Sequence, residues 1–438
     1  MAKETINIGI LGLGTVGGGT IEVLARNAEA ISRRSGKSLK VTHASARDIT
    51  KSRSFSTEGI ELLTDPLSVA THDDVDIVCE LIGGTDSARE LVLAAIEKGK
   101  HIVTANKALI ALHGHEIFAA AEAKGVMVAY EAAVAGGIPI IKAMREGLSG
   151  NTITSIAGII NGTTNFILTE MREQGREFDD VLQEAQTLGY AEADPTFDIE
   201  GIDAAHKLTI LASIAFGIPL QFDKMTTEGI TKITPEDTEY ANELGYRIKH
   251  LGIARHTADG IELRVHPTLI PERRLIANVD GVKNAVLVHG DAVGPTIYYG
   301  AGAGAEPTAS AVVADIVDVV RAMDAATENQ IPYLGFRNNK IEDIPVLGME
   351  AVETGYFLRM QVVDKPGVLA DITRIFGDAG ISIEAIIQKE SQENADHVPI
   401  IFLTQVVKEK NMNDALAQIE KLDAVNNEIV RIRVESLS

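Results

Sequence analysis

The stretch "INIGILGLGTVGGG", residues 6 to 19, constrains the fold of this chain more than any other. An apolar run ending at Leu11 leads directly into Gly12, Gly14 and Gly17, a G-x-G-x-x-G spacing, and then into a helical pattern. Each glycine meets a steric demand. The first makes a tight turn, the second lets backbone approach a pyrophosphate, and the third lets the helix lie close on the strand. A pyrophosphate held there rests on the helix N-terminus, with the N–H groups of Leu13, Thr15 and Val16 directed at it. The spacing alone is a weak signal, so the flanking strand and helix carry much of the argument.

The next hundred residues supply more of that context. Short apolar runs alternate with longer amphipathic ones, the pattern of β-α units around a parallel sheet. Strands are expected at Ile6 to Leu11, Lys40 to Ala46, Ile77 to Leu81, His101 to Thr104 and Val126 to Tyr130. Residues 1–135 therefore read as a Rossmann-type dinucleotide-binding domain in an α/β chain. The end of the second strand, "VTHASARD", decides between nucleotides, because a carboxylate there pairs with a ribose 2′-OH and an arginine accommodates a 2′-phosphate. Arg47, with Ser45 as a further donor, favours NADP; Asp48 next door keeps NAD possible.

Composition excludes several classes. The 438 residues carry a formal charge of −22, which argues against nucleic acid or an anionic membrane as partner in the absence of a basic patch. No stretch approaches the roughly 20 apolar residues of a membrane span. The lone cysteine, Cys79, rules out an internal disulfide, and "MAKETINIGIL" lacks a signal-peptide layout, so the cytoplasm is the expected location.

From Gly136 the pattern changes. Residues 136–345 read as a second, α+β domain with a mixed sheet and a long helix from about Thr308. After a polar linker, residues 350–438 read as strand, helix, strand, strand, helix, strand, a ferredoxin-like βαββαβ unit.

The chemistry-bearing residues lie in two places. Lys107 follows a parallel strand on the carboxyl edge where open α/β sheets bind ligands. "LGYAEADPTFDIEGIDAAHK" gathers Glu192, Asp194, Asp198, Glu200 and Asp203 just before Lys207, with Asp203 and Lys207 at i, i+4 on one helical face. A solvated ion pair and an acidic loop are the bland readings. The functional one is that carboxylates clamp a substrate amino group and anchor a lysine that shuttles a proton to a carbonyl oxygen. His113 and His115 lack a third ligand for zinc, and Cys79 sits in an apolar run, which weighs against thiol catalysis.

"GLGTVGGG", "ELIGG", "TANKALIA", "YEAAVAGGIPII", "GIINGTTNFIL", "GYAEADPTFDIEGIDAAHK" and "GAGAGAEPTASAVVADI" together resemble the monofunctional bacterial homoserine dehydrogenases with a C-terminal ACT domain, over nearly the whole chain. The resemblance implies NAD(P)-dependent interconversion of L-homoserine and L-aspartate 4-semialdehyde, on the route to threonine, isoleucine and methionine. It implies substrate-binding, catalytic and dimerisation roles for residues 136–345, with the long helix packing back on the first domain. It implies Lys207 as proton donor and acceptor at the substrate C4 oxygen, Asp203 orienting it or a water, and Lys107 as a second lysine lining substrate and cofactor. Glu192 is then the amino-group ligand, with Asp198, Gly162 and Thr163 also at the substrate. Gly84, Thr104, Gly302 and Glu306 join the cofactor side. A monovalent cation, sodium or potassium, is expected on Glu131 and the carbonyls of Val134, Gly136 and Ile138. "VVDKPGVLADITRIFGDAGISIEAII" is similar to the ACT signature, with Asp364 to Gly367 before its first helix and Gly380 after it. L-Threonine is the implied inhibitor, and a homodimer or homotetramer the implied assembly. Two rivals stay open: a nucleotide and amino-acid sensor without chemistry, and another NADP-dependent reductase of a small carbonyl acid.

Overall fold

In the computed structural model, which describes residues 3–325, 329–389 and 397–437, six parallel strands form the sheet that positions the glycine motif. They are β1 (Thr5–Leu11), β2 (Ser38–Ser45), β3 (Glu61–Leu63), β4 (Ile77–Glu80), β5 (His101–Thr104) and β6 (Val128–Ala129), in the order β3-β2-β1-β4-β5-β6. The order reverses at β1, so ligands of such a sheet bind beyond the carboxyl ends of β1 and β4. The central strands β4 and β5 are buried along their whole length and β1 over most of it, as expected where helices cover both faces. Ile8, Ile10, Ile21 and Leu24 share one core with Val312, Ile316 and Val319, so the Ala305–Ala322 helix packs on the Thr15–Arg26 helix.

Two expectations about bounds need correction. The last strand of this sheet is only Val128–Ala129, because Tyr130 turns out of the strand direction and precedes a 3₁₀ turn at Glu131–Ala133. The long helix starts at Ala305 rather than near Thr308, since Gly304 at φ 120° makes the turn and Pro307 fits a first helical turn.

The chain folds into two compact units that do not follow its linear order. The first is Met1–Ile156, Asp203–Met225 and Lys283–Ile344; the second is Ala157–Ile202, Thr226–Val282 and Pro345–Ser438. In the second unit the strands run in the order Tyr246–His256, Ile261–Pro271, Val425–Val434, Glu353–Val363, His397–Thr404 and Ile383–Gln388. The last four are the βαββαβ module, whose helices are Val368–Asp378 and Glu409–Ile419. Its final strand pairs in parallel with Ile261–Pro271 through Thr268 with Arg433 and Leu269 with Val434. Charge is buried along this join. Arg264 and Arg433 are at most 1% exposed, and each is met by two carboxylates, Glu262 and Glu435 for Arg264, Glu228 and Glu409 for Arg433. No helix of the described residues is long and apolar enough to cross a membrane.

Candidate active site

The glycine motif is built for a phosphate. Gly12 sits at φ 97°, and a Cβ there would lie 2.9 Å from the Leu81 carbonyl oxygen. At Gly17 a Cβ would come within 2.1 Å of the Gly12 carbonyl oxygen, which is the close approach of helix and turn. Gly14 differs, since a Cβ there meets nothing within 4 Å. Gly14 is also the residue before the Thr15–Arg26 helix, which has no side-chain cap and no acidic residue in its first turn. The N–H groups at this helix start are thus left for an anion, and the space beside Gly14 is where it fits.

The end of β2 lies beside this turn, with the Gly12 N–H donating to the Ser45 carbonyl at 3.1 Å. Arg47 is exposed there and pairs with no carboxylate among the described residues. Asp48 is engaged locally: its Oδ1 accepts from the Thr50 N–H and hydroxyl at 2.8 and 2.7 Å, which holds the carboxyl below its usual range.

At the carboxyl ends of β4 and β5 the structure shows two residues that sequence reasoning missed, Glu80 and Asn106, bonded to the expected Thr104 and Gly84. Glu80 is fully buried, and its carboxylate accepts from the N–H groups of Ile82 and Gly83 and from the Thr104 hydroxyl. Thr104 in turn accepts from the Asn106 N–H at 3.0 Å. Asn106 caps the Lys107–Lys124 helix through the Leu109 N–H and donates to the Gly84 carbonyl at 2.6 Å. The one sequence signal was a carboxylate stranded in the apolar run "DIVCELIGG".

Lys107 opens that helix, and its Nζ lies 3.1 Å from Asp203 Oδ1. Lys207 Nζ lies 2.7 Å from Asp203 Oδ2, one turn along the Ile202–Phe216 helix. Asp203 is 4% exposed. One buried carboxylate therefore holds two lysines, an arrangement stable only because both oxygens are paired. His206, also unforeseen, stacks on Phe222 at 4.2 Å and is held neutral by burial, its pKa pushed down to about 4.

The second glycine loop packs on the first. A Cβ at Gly19 would meet the Ala305 carbonyl at 2.7 Å, and one at Gly136 the Gly302 carbonyl at 2.5 Å. Glu306 is exposed and forms a two-point ion pair with Arg26. Glu131 is buried. Its oxygens accept from the N–H groups of Ile141 and Lys142, its own N–H donates to Asp315, and burial with Asp315 nearby pushes its carboxyl up to about 7. The loop that follows carries Ala135 at φ 55° and Gly136 at φ 49°.

Other candidates belong to the second unit. Asn161 caps the Gly162–Gln174 helix and donates to Asp198 at 2.8 Å, while the Thr163 hydroxyl donates to the Tyr190 carbonyl at 2.6 Å. A Cβ at Gly162 would meet the Val282 carbonyl at 2.8 Å. Glu192 is exposed nearby in sequence. In the βαββαβ module Gly367, at φ 100°, starts the first helix without a side-chain cap, Asp364 is exposed before it, and Gly380 at φ 72° follows its end.

His115 accepts from the Leu220 N–H at 3.1 Å, a structural use for that ring. Among the described residues no three His, Cys, Asp or Glu side chains gather as a metal site. Cys79 is wholly buried, which pushes its thiol far above the ordinary range.

A dinucleotide fold joined to paired lysines on a buried carboxylate, with a C-terminal βαββαβ module, defines a nicotinamide-dependent oxidoreductase carrying a small-molecule regulatory domain. Family models agree: homoserine dehydrogenase over residues 139–317, its NAD binding domain over 12–131, and the ACT domain over 356–424. The chain is 62% identical to homoserine dehydrogenase of Pseudomonas aeruginosa over 435 residues, covering 99% of this chain and 100% of that one. It is 55% identical to homoserine dehydrogenase of Neisseria gonorrhoeae, with 99% of each chain covered. The crystal structure of a homoserine dehydrogenase from Thiobacillus denitrificans superposes with TM-score 0.95 at 63% identity, over 99% of both chains. A hyperthermophilic archaeal homoserine dehydrogenase in complex with NADPH matches 72% of this chain and 97% of its own, with TM-score 0.61 and 29% identity. The chain belongs to the homoserine dehydrogenase family, oxidoreductases acting on a CH–OH group.

Proposed function

We propose that this chain interconverts L-homoserine and L-aspartate 4-semialdehyde in threonine, isoleucine and methionine biosynthesis, with Lys207 as the acid and base at the substrate C4 oxygen. The observation that carries this reading is the buried carboxylate of Asp203 between two lysine ammonium groups, 2.7 and 3.1 Å away. A bound nicotinamide would supply the hydride acceptor for C4 of the alcohol and the hydride donor for the aldehyde. Lys207, as the free amine, takes the hydroxyl proton during oxidation; as ammonium, it delivers that proton to the carbonyl oxygen during reduction. Asp203 orients Lys207 and keeps Lys107 directed to the same place. Glu192 holds the substrate amino group, with Asp198, Gly162 and Thr163 contributing to the substrate side.

The cofactor side comprises Gly12, Leu13, Gly14, Thr15, Val16, Gly17, Gly84, Thr104, Lys107, Gly302 and Glu306. NADP is the preferred dinucleotide. Support comes from Arg47 at the end of β2, from Asp48 being occupied by Thr50, and from the archaeal relative's NADPH complex. The open space beside Gly14 and its uncapped helix start fit the pyrophosphate.

A sodium or potassium ion would be held by Glu131 and the carbonyls of Val134, Gly136 and Ile138. The successive left-handed residues Ala135 and Gly136 support this by turning backbone carbonyls out of regular structure, and a cation would favour the ionised form of a carboxyl that burial disfavours. Its role would be to fix the loop that packs against Gly302. L-Threonine is the proposed inhibitor, its carboxylate received at the uncapped helix start after Asp364 to Gly367. A homodimer or homotetramer is supported by the terminal strand Gly294–Ala301, on which Tyr299 is 60% exposed. The cytoplasm is the proposed location.

The test is the rate of nicotinamide reduction with L-homoserine, offered with NADP and with NAD, with and without L-threonine. Turnover that needs the α-amino group separates this reading from a reductase of another small carbonyl acid.

A further inference from the structure

We infer that Glu80 is a positioning residue for the reaction, setting the direction of a hydrogen-bond chain that fixes the start of the Lys107–Lys124 helix and so the reach of Lys107 toward Asp203. The inference rests on the assignment of Lys107 to the reaction and deepens it.

A carboxylate at the end of an apolar strand costs several kcal/mol unless it is well bonded. Glu80 is 0% exposed at the end of "IVCE", between Cys79 and Leu81. Its Oε1 accepts from the Ile82 and Gly83 N–H groups at 3.0 and 3.1 Å, and its Oε2 accepts from the Thr104 hydroxyl at 2.6 Å. Burial raises its pKa overall, and the bonds from Thr104, Gly83, Ile82 and the Asn106 side chain offset only part of that rise.

Both Glu80 oxygens accept in this geometry, so Thr104 spends its single hydrogen on Glu80. The Thr104 oxygen is then left to accept, and it takes the Asn106 N–H at 3.0 Å. Asn106 is held on both sides, through the Gly84 carbonyl at 2.6 Å and the Leu109 N–H at 3.1 Å. The Gly83–Gly84 turn, with φ 70° and 75°, is thereby pinned by Glu80 at one end and Asn106 at the other. Lys107 is the next residue. Glu80, Thr104 and Asn106 are all less than a tenth exposed, so water has little access with which to replace a lost partner. An apolar residue at 80 would suit the strand and would leave three donors without this acceptor; the carboxylate serves the geometry of the turn and the helix start.

The experiment compares Glu80→Gln, Thr104→Val, Thr104→Ser, Lys107→Ala and the Glu80→Gln/Lys107→Ala double variant in the full chain. It reads kcat, substrate KM and the dissociation constant of the reduced dinucleotide. Glutamine keeps the shape but turns one acceptor into a donor, so one of the three donors of this site faces another. Glu80→Gln and Thr104→Val are expected to lower kcat by about 10- to 100-fold, the scale of a misplaced catalytic group, and Glu80→Gln to change dinucleotide affinity by less than about 3-fold. Thr104→Ser restores most of the loss, because it returns the hydroxyl. In the Lys107→Ala background, Glu80→Gln adds less than about 3-fold, because its effect runs through Lys107.

A folded Glu80→Gln with near wild-type kcat beside an impaired Lys107→Ala overturns the inference. Losses that multiply in full in the double variant also overturn it. Near wild-type kcat in Lys107→Ala itself instead overturns the role of Lys107, and the inference with it. If Glu80→Gln does not fold, the Thr104→Val and Thr104→Ser pair decides alone: equal kcat in the two overturns the inference.

Discussion

Lys207 and Asp203 lie one turn apart on a single helix with Nζ and Oδ2 at 2.7 Å, and the carboxylate that fixes this lysine also receives Lys107 on its other oxygen. The pair is mostly withdrawn from water, with side-chain exposures of 11% and 6%. An exposed i, i+4 pair adds only roughly 0.3 to 0.5 kcal/mol to a helix. Burial is what makes this one a device for orientation. Lys207→Ala is expected to lower kcat by about 10²- to 10⁴-fold, the usual contribution of a placed acid or base. The dissociation constant of the dinucleotide should hardly change, as fluorescence titration of the reduced cofactor would report.

Asp203→Asn keeps the shape of the side chain and removes the charge that faces two ammonium groups. Leaving like charges together in a site that is 4% exposed at Asp203 costs both placement and stability. Turnover should fall by at least about tenfold, with a lower melting temperature measured in the same preparation. A variant that loses stability but keeps kcat would limit Asp203 to a structural part.

The second and third glycines of the motif should fail in different ways. Gly17→Ala places a methyl 2.1 Å from the Gly12 carbonyl, so the turn itself must move and the melting temperature should drop. Gly14→Ala meets no protein atom within 4 Å, so the fold should survive while dinucleotide affinity falls. Calorimetry and cofactor titration on both variants separate the two effects.

Arg47→Ala should raise KM for NADP by roughly tenfold and leave KM for NAD nearly unchanged, since a charge-assisted bond to a phosphate contributes on the order of 1 to 3 kcal/mol. Equal changes for both dinucleotides would remove Arg47 from the 2′-phosphate.

Acid should destabilise the fold through its buried histidines. His250 is buried, its Nδ1 has no partner among the described residues, and burial pushes its pKa down to about 4. The unfolded value is near 6.5, so between these values the unfolded chain binds more protons and stability is lost as pH falls. The full cost, on the order of 3 kcal/mol for His250, is present below pH 4. His206 and His266 are shifted in the same direction by burial. The raised carboxyls of Glu131 and Asp315 act with the opposite sign over the same range, so the test is the difference between the protein and His250→Asn in urea denaturation from pH 8 to pH 4: the stability of the protein relative to the variant should fall as pH drops below about 6.5.

Local pattern made much of this legible. The apolar strands, the glycine turn and the i, i+4 pair are written in neighbouring residues, and so are the six elements of the C-terminal module. Glu61–Leu63 escaped notice because three half-exposed residues carry no periodicity. Glu80 was hidden because its meaning depends on Thr104 and Asn106, more than twenty positions away. The join between Ile261–Pro271 and Val425–Val434 is likewise a pairing across about 160 residues, which neither segment announces alone. Lys107 and Asp203, 96 positions apart, were each singled out, yet only the fold puts one against the other.

The most direct measurement is absorbance of the reduced nicotinamide as L-homoserine is added to the protein with NADP, beside the Lys207→Ala variant under the same sodium or potassium concentration. The account predicts rapid reduction by the wild type and a rate lower by about 10²-fold or more in the variant. No reduction by folded wild-type protein, or equal rates in the two, would contradict it.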